Sequence, residues 1–229
     1  MKNIGIIGGL SPESTILYYK TIINEYRRKF KNENYPNIII YSVNFGYFTQ
    51  LIEENRLEEA ANLLIEAGKS LEKAGANFII ISANTPHMLL NYITPKINIP
   101  IISIIDSLAE ELKKDKVKKV GLLGTKFTLT KQFYTKGLEK HNIKTIIPEP
   151  NDINIVNKII YEELVKGIIR EESKNKLIKI INKLIEMGAE GIALACTELP
   201  LLIKGKINNI KLYDTAKIHA IKALEYATK

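Results

Sequence analysis

Cysteine is nearly absent from the 229 residues: Cys196 stands alone, so no disulfide can close within the chain, which suits a reducing, cytoplasmic setting. There is no tryptophan, and the three histidines, His87, His141 and His219, are too scattered to form a metal-binding set with one thiol, so no metal is expected. Arginine is scarce as well. Only Arg27, Arg28, Arg56 and Arg170 occur, although the net charge is +8. The positive charge comes from lysines interleaved with acids, as in Lys113-Lys114-Asp115-Lys116, a pattern of solvated helix faces with no concentrated basic stripe. Nucleic acid is therefore not an expected partner. No stretch reaches the ~18 apolar residues of a membrane span, and the apolar run at residues 4–7 is too short for a signal peptide. Neither a membrane partner nor a targeting segment is expected. Low-complexity segments and long linkers are missing too.

What is there is ordinary globular chemistry, 45% hydrophobic and 25% charged, in a chain long enough for two lobes. Short continuous apolar runs predict strands at residues 4–7, 38–43, 78–83, 101–104, 120–123, 145–147 and 192–195. Helical spacing predicts helices near 12–30, 57–73, 108–113, 128–141, 153–165, 171–187 and 215–227, with residues 44–48 as a loop. Two internal echoes stand out. Gly5-Ile6-Ile7-Gly8-Gly9 matches Gly121-Leu122-Leu123-Gly124-Thr125, and Gly75-Ala76 leading to Ala83 matches Gly188-Ala189 leading to Cys196. Continuous apolar strands alternating with helices imply parallel sheets covered on both faces. The expected fold is α/β: two similar doubly wound lobes with parallel four-stranded sheets, related by a pseudo-twofold, with an active-site cleft between them. Lobe 1 takes residues 1–98 plus 212–229, and lobe 2 takes 99–211.

Ligands of such sheets bind beyond the carboxyl ends of the strands, where Gly9, Asn44, Ala83, Thr125 and Cys196 fall. The turn at Gly8-Gly9 is neither a dinucleotide fingerprint nor a Walker A loop; it reads as a tight turn before a helix capped by Ser11, open to a carboxylate. Cys196 sits just before a helix start, where backbone N–H groups favour a thiolate, and Thr197 and Glu198 add polar partners. His87 is either a site residue or a packing residue; His141 reads as surface and His219 as packing.

Together Gly8-Gly9-Leu10-Ser11-Pro12-Glu13-Ser14-Thr15, Ser42-Val43-Asn44-Phe45, Ala83-Asn84-Thr85-Pro86-His87, Ile160-Tyr161-Glu162-Glu163-Leu164 and Cys196-Thr197-Glu198 resemble the aspartate/glutamate racemase family, in its broad-specificity amino-acid racemase branch. The resemblance implies racemisation without cofactor or metal by two opposed acid/base groups, usually both cysteines, in a homodimer. It implies Asn84, Thr85, Thr125 and Thr197 as holders of the substrate carboxylate, with Gly9, Ser11, Asn44, Tyr161 and Glu198 lining the site. Aspartate or glutamate is the default substrate, although residues 44–52 carry no cation for a side-chain carboxylate. Ala83 departs from the pattern, since the first catalytic position is usually Cys or Thr and a methyl group moves no proton. Several readings stay open: a racemase whose second proton comes from Thr85, water or a His87 relay; a cysteine-to-alanine variant; one-sided carbanion chemistry like that of arylmalonate decarboxylase; or a non-catalytic amino-acid-binding protein.

Overall fold

The computed structural model describes all 229 residues. In chain order the first elements are β1 (Ile4–Gly8), α1 (Pro12–Phe30), β2 (Ile38–Ser42), α2 (Phe45–Glu53), α3 (Leu57–Lys73), β3 (Phe78–Ile81), a 3-10 turn (Thr85–Leu89), α4 (Leu90–Ile93) and β4 (Ile101–Ile102). Then follow α5 (Ile104–Lys114), β5 (Lys119–Gly124), α6 (Lys126–Thr130), α7 (Phe133–Glu139), β6 (Lys144–Ile146), α8 (Pro150–Lys158), a π turn (Ile159–Glu163) and α9 (Glu171–Glu186). β7 (Gly191–Ala195), α10 (Leu199–Leu202), β8 (Lys206–Ile207), β9 (Ile210–Asp214) and α11 (Thr215–Ala227) complete the chain. No helix is long and apolar enough to cross a membrane.

Two compact units result. One comprises Met1–Ile104 with Ala216–Lys229, the other Ile105–Thr215. The first holds a parallel sheet in the order β2-β1-β3-β4. The second holds β6-β5-β7-β9 in the same parallel sense, with β8 added antiparallel at the edge. Strand order thus repeats, and so does its local cause. Both α3 and α9 end on a left-handed glycine, Gly75 (φ 91°) and Gly188 (φ 95°). In each case the next residue's N–H returns to the last turn, Ala76 to the Leu71 carbonyl and Ala189 to the Leu184 carbonyl. That is the Schellman closure, which an L side chain resists.

In the first unit, Ile4, Ile6, Phe78 and Ile80 pack one sheet face against Tyr18, Ile22 and Tyr26 of α1 and Ala216, Ala220, Ala223 and Leu224 of α11. In the second, Ile192 and Leu194 of β7 pack with Leu177, Ile180, Ile181 and Leu184 of α9 and with Val156, Ile159 and Ile160 around the π turn.

Several local expectations change. Residues 44–48 are not a loop: the Asn44 side chain accepts the Tyr47 N–H at 3.1 Å and starts α2, whose Phe48, Leu51 and Ile52 are buried. The helix expected over 128–141 starts earlier, at the Thr125 cap, and breaks where Gln132 takes φ 57°. The strand at 101–104 stops at Ile102, and Ile104 opens α5. The helix after Pro150 widens, with the Leu164 N–H reaching the carbonyls of Ile159 and Ile160. The hairpin β8–β9 was not foreseen; Asn208 (φ 47°) and Asn209 (φ 65°) form its two-residue turn, the left-handed pair that suits asparagine. Because residues 212–214 of β9 pair with β7, the second unit runs past residue 211 to Thr215.

Candidate active site

In the second unit the apolar strand β7 delivers Cys196 just beyond Ala195. Register pairs Ala195 with Gly124 of β5, so Cys196 and Thr125 are the next residues of neighbouring strands. Cys196 is buried, in one apolar cluster with Ile159, Ile160, Leu164 and Leu199. Its thiol donates to Glu198 Oε2 at 3.0 Å, and Thr197 Oγ1 donates to the same oxygen at 2.8 Å. The turn is closed by the Leu199 N–H on the Cys196 carbonyl at 3.3 Å. Burial first, then the negative Glu198, push the thiol's pKa well above its ordinary value, although the backbone N–H groups of Glu198 and Leu199 pull the other way. The resting group is therefore a thiol, which corrects the expectation of a thiolate favoured by a helix start: α10 begins only at Leu199 and spans four residues, and desolvation outweighs it.

Thr125 caps α6, its Oγ1 accepting the Thr128 N–H at 3.2 Å. Tyr161 lies exposed in the π turn. Glu163 of the same turn buries its Oε2 with no hydrogen-bond partner. Glu163 lies within the segment 160–164, where nothing in the spacing marks the burial of one carboxylate oxygen.

In the first unit, Gly9 turns the chain at φ 80° after β1, and a Cβ there would lie 2.3 Å from the Val43 carbonyl, so only glycine fits. Its N–H donates to Thr15 Oγ1 at 2.8 Å. Ser11 caps α1 by accepting the Ser14 N–H at 3.3 Å. The Ser14 hydroxyl donates to the Ser82 carbonyl, and Thr15 Oγ1 lies 3.1 Å from Ser82 Oγ, so the start of α1 holds the backbone just ahead of Ala83. β3 ends at Ile81, and Ala83 and Asn84 are buried in the bend beyond it, with Thr85 half-buried. Asn44 is exposed, its side-chain oxygen committed to capping α2.

His87 is buried, with Nδ1 2.9 Å from the Ala83 carbonyl, an acceptor, so Nδ1 carries the proton. Its ring meets His219 edge-on at 5.6 Å. His219 is more than packing. Its Nε2 donates to the Ile102 carbonyl at 2.9 Å, which leaves Nδ1 to accept the Tyr18 hydroxyl at 2.8 Å. Burial, with His87 nearby, pushes its pKa down to about 3, so the ring is neutral.

Within each unit the expected residues therefore gather at strand ends: Gly9, Ser11, Asn44, Ala83, Asn84, Thr85 and His87 in the first, Thr125, Cys196, Thr197 and Glu198 in the second. A family model described as Asp/Glu/Hydantoin racemase matches residues 7–223. The chain belongs to that racemase family. It is 26% identical over 217 residues to the broad specificity amino-acid racemase RacX of Bacillus subtilis (strain 168), covering 93% of this chain and 92% of the relative. Among solved structures it resembles an aspartate racemase homologue from Pyrococcus horikoshii OT3, with TM-score 0.90 and 43% identity over 100% of both chains. It also resembles the aspartate racemase of Picrophilus torridus, with TM-score 0.81 and 27% identity over 100% of this chain and 95% of the other.

The two echoing positions differ in chemistry: the Cys196 side chain carries an exchangeable proton, and the Ala83 side chain carries none.

Proposed function

We propose that this chain is a cofactor-independent amino-acid racemase in origin, with aspartate or glutamate as the default substrate, in which Cys196 exchanges the Cα proton from one face. The observation that carries the reading is the Cys196 thiol at a strand end, in contact with a carboxylate oxygen that also accepts the Thr197 hydroxyl. Asn84, Thr85, Thr125 and Thr197 are assigned to the substrate carboxylate, where donors also stabilise the enolate character that develops on deprotonation. Gly9, Ser11, Asn44 and Tyr161 are assigned to the surroundings of the substrate. A second proton, where one is delivered, is assigned to Thr85, a His87 relay or water. Ala83 also favours a second reading, one-sided protonation of a carbanion on another substrate.

The test is Cα hydrogen exchange in D2O, followed by NMR over a panel of L- and D-amino acids. Exchange of one enantiomer with slow or absent inversion is expected. No exchange with any amino acid would discard the amino-acid racemase reading in favour of one-sided chemistry elsewhere or simple binding.

The same reading includes a homodimer, and an apolar edge supports it. β2 is an edge strand without a charged residue, and Ile16 and Tyr19 of α1, Ile40 and Tyr41 of β2, and Phe45 and Tyr47 of α2 stay exposed. Ile40 and Thr15 both border Gly8, which places the start of α1 beside this edge. Six large side chains about half exposed offer roughly 600 Å², close to the ~800 Å² per partner of a stable interface. An open, uncharged edge strand pairs readily with a second copy of itself. Light scattering should give twice the chain mass, falling to the chain mass in Tyr19→Glu/Ile40→Lys; a monomeric parent chain, or a double variant that stays dimeric, rejects this face.

A further inference from the structure

We propose that Glu198 is the proton acceptor of the Cys196 thiol, so that a coupled carboxylate–thiol pair is the working base of this site. The inference rests on the reading of Cys196 above and assigns Glu198 a role beyond lining the substrate.

The pair is built into the turn. Sγ lies 3.0 Å from Oε2, and the turn is held on either side by the Leu199 N–H on the Cys196 carbonyl and the Leu201 N–H on the Glu198 carbonyl. Oε2 accepts from both Sγ and the Thr197 hydroxyl, an arrangement that only the unprotonated oxygen satisfies. These donors on Oε2, with the like-charge influence of Glu198 on the thiol, describe a thiol beside a carboxylate, with one negative charge between them.

That charge count decides the mechanism. Losing the thiol proton to solvent would place a second negative charge beside the first, on a buried sulfur, which burial and like-charge repulsion both oppose. Passing the proton 3.0 Å to Glu198 keeps the pair at one charge and only moves it from oxygen to sulfur. In balance, carboxylate plus thiol becomes carboxylic acid plus thiolate. The thiolate lone pair then takes the Cα proton, forming S–H, while the C–H electron pair stays on the substrate as a carbanion. Return of the proton from sulfur to carbon reverses the second step, and Glu198 gives its proton back to sulfur to restore the pair. The backbone N–H groups that touch the sulfur favour the intermediate thiolate.

Glu198→Gln separates this role from a structural one, because it keeps size and a hydrogen-bond acceptor but cannot take a proton. Since Cys196 is the sole cysteine, the pH profile of its alkylation by iodoacetamide, read by intact mass, reports this thiol alone. With the carboxylate charge gone, the alkylation midpoint should fall by about 1 pH unit or more. Over the same range Cα exchange should slow by roughly 10²- to 10³-fold, the size of a lost acid/base partner, mainly in kcat, with partial recovery in Glu198→Asp. Loosened packing would also lower the midpoint and slow the enzyme, because burial is the first cause of the raised thiol pKa, so the variant must keep the parent's melting temperature and recover exchange in Glu198→Asp. An unchanged midpoint overturns the proposal, as does a lowered midpoint with faster exchange, which would make Glu198 an electrostatic brake only. If the unsubstituted chain exchanges no Cα hydrogen, the functional reading fails, while the alkylation midpoint still supports or rejects the pair.

Discussion

Cys196→Ala is expected to lower Cα hydrogen exchange by at least ~10³-fold, the scale of removing a group on which a proton transfer depends, with the fold retained. The substitution removes one heavy atom from a buried position in the apolar cluster that includes Ile160, Leu164 and Leu199. Deleting so small a group from a core costs about 1 kcal/mol, or a few degrees in Tm for a chain of this size. Glu198 keeps the Thr197 hydroxyl as a donor, so no carboxylate is left stranded. The decay of the Hα signal in D2O together with thermal melting by circular dichroism separates the two effects. Residual exchange above about a tenth of the parent rate, in a folded variant, would move the base elsewhere and with it the case for Glu198.

The complementary change has the opposite sign. Ala83→Cys should convert one-sided exchange into inversion and raise racemisation by ~10²-fold or more. Inversion requires groups on both faces of one carbon, and Ala83 occupies the position that echoes Cys196 in the repeated strand order. Room is tight, because Ala83 is buried and the residue before it is anchored through Ser14. An added sulfur there costs about 1–3 kcal/mol of packing strain, a fraction of the usual stability of a domain. Chiral chromatography of both enantiomers over time measures the result. Comparable inversion by the parent chain would mean that Thr85, His87 or water already supplies the second proton. Equal failure of parent and variant, with exchange intact, would mean that the Ala83 turn does not serve the substrate.

Much of this architecture is written in local pattern. Ser11-Pro12 marks the start of α1 because a capping hydroxyl and a fixed φ act within one turn, and α3 and α11 follow from spacing that needs no distant partner. The glycine pairs legible as an echo are the helix exits at Gly75 and Gly188. Other features depend on contacts that spacing does not encode. Phe45 to Phe48 reads as a loop until the Asn44 cap and the burial of Phe48, Leu51 and Ile52 turn it into a helix. Asn208-Asn209 turns a hairpin whose first strand, Lys206–Ile207, is too short for periodicity to register. Tyr18 and His219 meet across 201 residues of sequence. At the candidate site, the identity of Cys196 was readable, but its protonation state was not: the helix-start argument named one influence, and burial with Glu198 named the larger ones.

The return of α11 to the first unit has a consequence for how the chain is made. Ile4, Ile6, Tyr18, Phe78 and Ile80 emerge early in synthesis, yet the wall they pack against, Ala216, Ala220, Ala223 and Leu224, follows the whole of the second unit. The second unit is continuous and can close its core as soon as β9 is out, whereas the first must wait with a sheet face that α1 covers only in part. During translation the order of completion is therefore inverted, with the later-made unit finishing first and the earlier one depending on holdase chaperones or transient collapse until α11 arrives.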